Sequence, residues 1–509
     1  MGFWSRFYNA VSSPGRRTRI EVAAPTQFIS KIKYEDNSIG FLKTVGEEHT
    51  NEIIFYSPEE KKPLASRLFD SVTQYAGSRV TFLLTLFILG VWGVVGIILG
   101  APENWQIVMQ DGSSIQCYIS DTLLIRQQHN HCYKLLSTLS QIRSRSVTIT
   151  RIFHSSHLSH VDTEVVDYMK IKDNVGDAVE LPVENWFDRC CNWVSWAVGS
   201  MASLALYWGG VFAWVGVGDM LGWSDLWQLY INTAVAVELT FTSMFLQNTC
   251  RRHMEYLEKC LKNIIETDIS LEVLLRKALD DNQPNPTISV DPPKVSRGIR
   301  AIDYYGDVVG TGIGAFISVC VFIIWLSIGD IMNWNDNWWL IIGTYTGLVG
   351  FIDGFVLRNI YFRLDLWLDE HFDYIKKADE GLYQYLNISL PTKPVEKNNS
   401  IITTVSNWMG YICALPHAVL ASVFIVVGLL GVASGMKWSE TGQLLCNTPT
   451  MIIEGFLLIV LIQAHNMSDL KRRVQLHDIL LRRLKLFQFA LIATQLDHSN
   501  NNEKKERGV

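Results

Sequence analysis

Uncharged apolar runs divide this chain into segments long enough to cross a lipid bilayer. Four such runs cover residues 80–102, 192–218, 308–329 and 400–436. Each exceeds or approaches the roughly 20 residues that a helix needs to span hydrocarbon. A short turn then leads to a second apolar stretch, at about 104–125, 226–250, 337–357 and 441–465. The pattern predicts an all-α, polytopic membrane protein whose eight transmembrane helices form four helical hairpins.

The four predicted hairpins share the spacing of their tryptophans, which indicates internal repeats. The aligned positions are Trp92, Trp214 and Trp325 in the first helix, and Trp105, Trp227 and Trp338 in the second. In the fourth hairpin WSETGQLLCNT matches WSDLWQLYINT of the second, and one inserted residue near Pro449 brings Glu454 onto Glu238. Enrichment of tryptophan at membrane interfaces explains an aromatic belt but not this spacing. We interpret the chain as one hairpin present four times.

The distribution of basic residues predicts the orientation of the hairpins. Their internal turns contain a single Lys or Arg, Lys437, whereas the termini and long connections hold all the others. Basic segments stay in the cytoplasm, so both termini and the three long connections are predicted there. Apolar residues at helical spacing continue through 251–279 and after 363 and 470, which predicts cytoplasmic helical extensions that pack together or pair across a homo-oligomer.

The predicted domain organisation follows from these elements. It comprises a peripheral cytoplasmic region (1–75), four hairpin repeats with their cytoplasmic connections (76–190, 191–300, 301–400 and 401–496) and a flexible tail (497–509). The segment 281–294 has four prolines and reads as a linker.

Composition supports a membrane protein and excludes several other classes. Hydrophobic residues make up 48% of the chain and charged residues only 18%, below the roughly 25% of soluble domains. The net charge of −6 gives no support for nucleic-acid binding. Nine cysteines in 509 residues do not form a secreted disulfide framework, so they are predicted to be free thiols.

The predicted spans contain no Lys or Arg. Their charged residues are all Asp or Glu, and all lie in the second helix of a hairpin. A charge in hydrocarbon costs at least about 2.5 to 3.5 kcal/mol and is normally retained for a pathway or site. Counted from the outer tryptophans at about 1.5 Å per residue, four of these acids fall at or just below the midplane. They are the candidate metal ligands Glu238, Glu454, Asp353 and Asp121, and Asp111 lies nearer the outer surface.

Oxygen donors of this kind suit hard or borderline divalent cations such as Fe²⁺, Mn²⁺ and Zn²⁺. Thr242, Thr346 and Thr450 stand about one or two helical turns from three of the acids. Alternatively, the carboxylates are protonated or form hydrogen bonds that hold helices together. Glycines recur in the sixth predicted span, where a small face either packs closely or leaves room for a pore; they are Gly343, Gly347, Gly350 and Gly354.

Two further groups of residues are weaker candidates. Acidic outer turns can concentrate cations at the pathway mouth, or can be ordinary solvated loops; their acids are Asp219, Asp225, Asp330, Asp336, Glu103 and Glu440. His465 at the end of the eighth span is a candidate inner ligand. The remaining metal-compatible side chains are cytoplasmic and have no secure structural context; they are His129, His131, Cys132, His154, His157 and His160.

The stretch GWSDLWQLYINTAVAVELTFTSMFLQNTCRRHMEYLEKCL, residues 222–261, resembles the signature of the low-affinity iron permease family. The likeness covers the predicted hairpins from about 75 to 490 and is weakest in the first, whose second helix is unusually polar. Fungal members of that family are plasma-membrane transporters of Fe²⁺ that also pass other divalent metals. The resemblance therefore implies a substrate class, while the ligands named above are inferred from the residues.

Together these features predict low-affinity uptake of Fe²⁺, and of Zn²⁺, Cu²⁺ or Mn²⁺, driven by the electrochemical gradient through a midplane carboxylate site. No nucleotide-binding P-loop is present, and no cofactor is expected beside the transported metal. Two alternatives remain open. One is a membrane scaffold or receptor without conduction, and the other is a metal-dependent membrane enzyme.

Overall fold

The computed structural model describes residues 17, 19–27, 64–155, 185–390 and 401–506. Within them the chain forms twelve helices and one pair of short strands, β1 (Ile20–Val22) and β2 (Ile288–Val290), so the predicted all-α class is confirmed. In chain order the helices are α1 (Leu64–Ala76), α2 (Arg79–Leu99), α3 (Glu103–Ser155), α4 (Trp186–Val198), α5 (Met201–Val217), α6 (Asp225–Leu279), α7 (Arg297–Val309), α8 (Gly312–Ile328), α9 (Asp336–Tyr385), α10 (Ile401–Cys413), α11 (Pro416–Gly435) and α12 (Glu440–Glu506).

The helices recur in groups of three rather than two. Each group has a helix of 13 residues, then an apolar outer helix of 17 to 21 residues, then an inner helix of 50 to 67 residues. The short helix is bent from the outer one by 51° between α4 and α5 and by 63° between α7 and α8. The apolar runs 192–218 and 400–436 each include such a break, which hydrophobicity alone does not reveal.

Several helices are long and apolar enough to cross a membrane. Among the described residues α2, α6, α9, α11 and α12 qualify singly, and the count rises to seven if each bent pair is one span. Only 11% of the most apolar stretch of α2 is buried, against 78% for α12. Outer helices therefore present apolar surface outward, as lipid contact requires. The chain is a multi-pass membrane protein.

The four long helices pack side by side as an inner bundle, defined as α3, α6, α12 and α9 in that order around a common axis. Each helix of the inner bundle packs along two neighbours, so α3 lies diagonally across from α12 and α6 across from α9. The outer helices flank this bundle, with α2 against α6 and α11 against both α9 and α12. Side chains that point inward from all four long helices meet on the axis.

The turns between outer and inner helices have the same geometry in all four groups. A residue with left-handed backbone angles ends each turn, and its N–H donates to the carbonyl five residues earlier at 2.8 to 3.0 Å. The four donor and acceptor pairs are Ala101 with Gly96, Trp223 with Gly218, Trp334 with Gly329, and Trp438 with Ala433.

Aligned tryptophans stack across three of the four helix pairs. Ring centroids lie 3.8 Å apart for Trp92 and Trp105, and the inner indole N–H donates to the outer backbone carbonyl at 3.2 Å. The same two contacts recur in the second and third groups, in the pairs Trp214–Trp227 and Trp325–Trp338. The spacing recognised in the sequence therefore corresponds to a shared packing unit.

Beyond the apolar region, buried ion pairs join the far ends of the long helices. Arg483 of α12 pairs with Asp379 of α9 at 2.9 Å and with Asp268 of α6 at 3.3 Å. Glu272 of α6 pairs with Arg276 at 2.9 Å. Burial raises the pKa of Asp268 to about 6, although the nearby arginines oppose the rise. Removal of one partner from such a pair typically costs about 3–5 kcal/mol because a buried charge is left alone.

The proline-rich segment 281–294 is more than the predicted linker, because it contains β2. Ile20 of β1 pairs with Val290 in an antiparallel ladder, and Val22 pairs with Ile288. Ser144 of α3 donates to the Pro286 carbonyl at 2.7 Å and so ties this small sheet to the inner bundle. At least part of the predicted peripheral region 1–75 is thus packed on the long helices.

We expect Gly96→Ala to destabilise the protein, because a Cβ at that position would overlap the Trp105 ring that is stacked on Trp92. Overpacking of this kind costs about 1–3 kcal/mol. Gly90→Ala on the same helix is the matched control, since no atom lies within 4 Å of its Cβ position. The measurement is the thermal unfolding midpoint in detergent, and equal midpoints for the two variants would contradict the stacking argument.

Candidate metal centre

Each long helix of the inner bundle contributes one acidic side chain to the same region of its axis. These four groups, called the carboxylate centre below, are Asp121 of α3, Glu238 of α6, Asp353 of α9 and Glu454 of α12. A carboxylate oxygen of Asp121, one of Glu454 and the Cys117 sulfur all lie within 4.8 Å of one another. Because α3 and α12 are diagonal partners, this contact crosses the axis.

The other two carboxylates adjoin this cluster. Asp353 interacts electrostatically with both Asp121 and Glu454, and Glu238 interacts with Glu454. The Oε2 atom of Glu238 lies 2.5 Å from the Cβ position that a side chain at Gly455 would occupy, directly beside Glu454 on α12. The four acids that the sequence singled out are therefore brought together.

Within the described ranges, few hydrogen-bond donors and no arginine or lysine contact the carboxylate centre. Tyr305 donates its hydroxyl to Asp353 Oδ1 at 2.7 Å. The other oxygen of Asp353 and both oxygens of Asp121 and of Glu238 are buried without a hydrogen-bond partner among the described residues. Buried anionic oxygens without partners are costly, so protons or a bound cation must compensate them. The donor set is one that a divalent cation prefers.

The glycine face of α9 makes room for polar side chains on the axis. A Cβ at Gly350 would lie 2.6 Å from Glu454 Oε1, and one at Gly347 would lie 2.5 Å from Asn447 Oδ1. A Cβ at Gly343 would lie 2.9 Å from Asp111 Oδ1. The small face thus serves close packing, and what it packs against is the row of polar groups along the axis.

The unusual polarity of α3 is explained by its neighbour α6. Ser113 donates to the Ala236 carbonyl at 2.6 Å, and Gln110 donates to Thr233 at 3.2 Å. Gln247 of α6 donates in turn to Ser120 at 2.9 Å. These hydrogen bonds satisfy buried polar groups between helices, which is how polar residues are tolerated at membrane depth.

Asp111 lies apart from the carboxylate centre. It is ten residues before Asp121 on α3, roughly 15 Å along the helix axis. Its side chain is buried beside Gly343 and Asn447, and its Oδ2 has no hydrogen-bond partner among the described residues. Asp111 therefore marks an outer position on the same axis.

Sequence reasoning missed two side chains of this site. Cys117 stands one helical turn before Asp121, and that spacing was a usable signal for a thiol on the same face. Tyr305 lies in α7, which the sequence analysis did not separate as a helix, and nothing in its local pattern indicated contact with Asp353.

The weaker candidates lie away from the carboxylate centre, and three of them, His131, Cys132 and His465, line one cavity further along the inner bundle. The acids of the outer turns whose side chains are described are exposed, namely Asp219, Asp225, Asp330, Glu103 and Glu440. His129 contacts the Ile125 carbonyl at 3.0 Å, and His154 packs against Tyr385. His157 and His160 lie outside the described residues. His465 does not end its helix, because α12 continues to Glu506; its ring lies 3.5 Å from the Cys250 sulfur.

Comparison with known proteins identifies the family. A family model described as low affinity iron permease matches residues 187–275 and 402–504. The low-affinity iron/zinc ion transport protein fet4 of Schizosaccharomyces pombe is 48% identical over 504 residues, which cover 96% of this chain and 86% of that protein. The chain belongs to the low affinity iron permease family. The low-affinity Fe(2+) transport protein of Saccharomyces cerevisiae is 40% identical over 460 residues, covering 84% of this chain and 83% of that protein. No solved structure is significantly similar.

The resemblance inferred from residues 222–261 is thereby confirmed, and a permease family is one of transporters rather than enzymes. Glu238 and Glu454 of this permease lie inside the segments that the family model matches, whereas Asp121 and Asp353 lie outside them.

We expect Gly350→Ala to weaken binding of Mn²⁺, because its methyl group would displace the Glu454 carboxylate from the axis. Mn²⁺ prefers oxygen ligands and so reports on the carboxylates. Its binding to the purified protein is followed by the fall in the free-ion electron paramagnetic resonance signal. Gly381→Ala on the same helix, where no atom lies within 4 Å, should bind Mn²⁺ normally. Equal binding by both variants would remove Glu454 from the site.

Proposed function

We propose that the protein takes up divalent cations at low affinity through the carboxylate centre, with Fe²⁺ as the first substrate and Zn²⁺, Mn²⁺ and Cu²⁺ as others. The observation that carries this proposal is that one buried carboxylate from each long helix reaches the same place, with no arginine beside them among the described residues. Membership of the low affinity iron permease family supports it, as do the iron and zinc in the names of the two relatives.

The driving force is the membrane potential. A charge that crosses the whole potential gains about 2.3 kcal/mol per 100 mV, so a divalent cation gains roughly 4.6 kcal/mol. Acidic side chains of the outer turns raise the local cation concentration. The carboxylates then replace part of the hydration shell, and the cation moves inward down its electrochemical gradient. The metal is the substrate, and the mechanism requires no resident cofactor.

Low affinity follows from the same chemistry. Hard divalent cations give up their hydration shell reluctantly and retain waters in sites of this kind. A pathway must also bind weakly enough at each position for the ion to leave. Protons compete with the cation for the same oxygens, which lowers the net free energy of binding further.

The proposed membrane arrangement keeps the eight spans and four hairpins inferred from the sequence. Each hairpin pairs an outer helix with the first half of an inner helix, and α3 completes the set as a polar span covered by α6 and α9. The second halves of the inner helices form cytoplasmic extensions, with both termini in the cytoplasm of a cell whose plasma membrane holds the protein. The repeat boundaries 76–190, 191–300, 301–400 and 401–496, and a homo-oligomer, belong to this proposal.

We expect Glu238→Gln and Glu454→Gln each to lower Fe²⁺ uptake at least about tenfold, equivalent to a lost interaction of roughly 1.4 kcal/mol. The amide keeps the shape of the side chain and removes the charge that attracts the cation. Initial uptake is measured in vesicles that hold the purified protein under a negative-inside potential.

Glu255→Gln is the control, because Glu255 lies on α6 but is exposed and pairs with Arg251. It should transport normally. Normal uptake by both test variants would exclude these carboxylates from the route. Absence of uptake by the unaltered protein at any potential would instead favour a scaffold or receptor, in which the acids only join helices.

Neutralising the outer turns should raise the KM for Fe²⁺ with little change in kcat. The triple variant Asp219→Asn, Asp225→Asn, Glu440→Gln removes three exposed acids from two turns. The effect should be largest at low ionic strength, because salt screens exposed charges over about 10 Å at 0.1 M. A KM that is unchanged at low salt would show that these turns do not concentrate the cation.

A further inference from the structure

A partly open cavity lies between the helices of the inner bundle, on the side of the carboxylate centre away from the outer turns. Its volume is about 100 Å³, all four long helices line it, and its walls are mostly apolar with a few polar side chains. Cys250 is 12 residues beyond Glu238 on α6, and His465 is 11 residues beyond Glu454 on α12. At about 1.5 Å per residue the cavity is roughly 17 Å further along the axis.

The walls of this cavity carry sulfur and nitrogen donors. The Cys250 sulfur lies 3.5 Å from His465 Nε2 and 3.6 Å from His465 Nδ1, and only 4% of Cys250 and 8% of His465 is exposed. Five more potential ligands line the cavity, namely His131, Cys132, His253, Asp365 and Asp469, and the two aspartates also pair with arginines. We call the cavity the thiol–imidazole chamber.

The chamber is large enough for a partly hydrated cation. One water needs about 10–15 Å³ of such space, so 100 Å³ holds several water molecules or an ion with some of its shell. Waters adjacent to Cys250 and His465 can complete a coordination sphere that begins with two protein ligands. Open coordination positions are a feature of metal sites from which the ion or its ligands exchange.

Beyond the chamber, buried ion pairs occupy the space between the long helices. Arg472 of α12 lines the chamber, is almost fully buried, and binds Asp365 and Asp369 of α9 at 2.6 Å. Arg483 forms a similar buried group with Asp268 and Asp379 further along the same helix. A second cavity, of about 160 Å³, shares His253 and Asp469 with the chamber and extends sideways to α4. A cation that leaves the carboxylate centre along the axis would next meet the donors of the chamber.

We propose that the thiol–imidazole chamber is a second cation site, in which the Cys250 thiolate and the His465 imidazole bind a borderline divalent cation such as Zn²⁺ or Fe²⁺. Binding forms a metal–sulfur bond and releases the thiol proton to water. The site's place on the uptake route rests on the proposed function, but its ability to bind metal does not. Sulfur and nitrogen donors favour Zn²⁺ and Fe²⁺ over Mg²⁺ and Ca²⁺, a preference that carboxylates alone do not provide.

The test uses Co²⁺ as the probe and the full-length protein in lipid nanodiscs. A cobalt–thiolate bond gives ligand-to-metal charge-transfer absorption in the near ultraviolet, which carboxylates alone do not produce; the Cys117 thiol beside the carboxylate centre is therefore tested separately. The unaltered protein should show this band on titration with Co²⁺. Cys250→Ser should abolish it, and His465→Gln should weaken Co²⁺ binding by about tenfold or more, since even ligand-supporting residues have effects of that size.

Two other cysteines provide the controls. Cys260→Ser on α6 replaces an equally buried thiol outside the chamber, so it reports the cost of the substitution itself and should keep the band. Cys117→Ser removes the thiol beside the carboxylate centre and should keep the chamber's band. If Cys250→Ser does not fold, His465→Gln decides alone, and Co²⁺ affinity equal to that of the unaltered protein overturns the proposal.

The remaining outcomes separate this proposal from the carboxylate centre. Three outcomes would overturn the proposed metal site at Cys250 and His465. They are absence of a band in the unaltered protein, a band that survives in folded Cys250→Ser, and a band lost only in Cys117→Ser. Glu454→Gln should keep the band even where Fe²⁺ uptake is lost. If Glu454→Gln transports normally and keeps the band, the proposal of uptake through the carboxylate centre is rejected. The proposal of metal binding in the chamber is retained.

Discussion

Four carboxylates of like charge meet on the axis of the inner bundle, and their repulsion must be compensated for the long helices to pack. Removing an ion from water costs several kcal/mol even after a protein relaxes around it. Only one of these oxygens receives a tyrosine hydroxyl, and the charges that act on Asp121 and Glu454 are those of other acids. The glycine face of α9 and the polar face of α3 lie beside these groups and allow them to approach one another. A bound cation or protons on the carboxylates would compensate these negative charges.

At the far ends of the same helices, buried acids are neutralised by arginines. There Asp268 and Asp379 share Arg483, and Glu272 is held by Arg276. Each of these acids has a guanidinium within ion-pair distance on its own or a neighbouring helix. At the carboxylate centre no arginine or lysine of the described part of the chain pairs with the acids. The difference separates a region that holds helices together from one that remains available to an exchangeable charge.

Much of this was predictable from sequence, because a charge in an apolar run is conspicuous whatever its neighbours are. Glu238 and Glu454 occupy equivalent positions in the repeat and lie on adjacent helices, so their proximity follows from the internal alignment. Asp121 and Asp353 stand 16 and 15 residues after the aligned tryptophans, against 11 for Glu238, yet they reach the same cluster. Depth counted from an anchoring tryptophan ignores helix tilt and rotation, which depend on packing partners rather than on residue spacing. For the same reason neither Tyr305 nor the four short helices could be read from local pattern.

The order of donors along the axis bears on how a low-affinity pathway can still be selective. An oxygen-rich centre attracts any small divalent cation, including abundant Mg²⁺, and cannot discriminate by charge alone. The thiol–imidazole chamber, which lies further along the route, would bind Fe²⁺ or Zn²⁺ more strongly than the carboxylates do. It would bind Mg²⁺ less strongly than water does. The two requirements are hard to meet in one site, because several sulfur and nitrogen ligands added to four acids would hold a transition metal too tightly to release it. Separation by roughly 17 Å lets attraction and discrimination act in sequence. Each site can then remain weak.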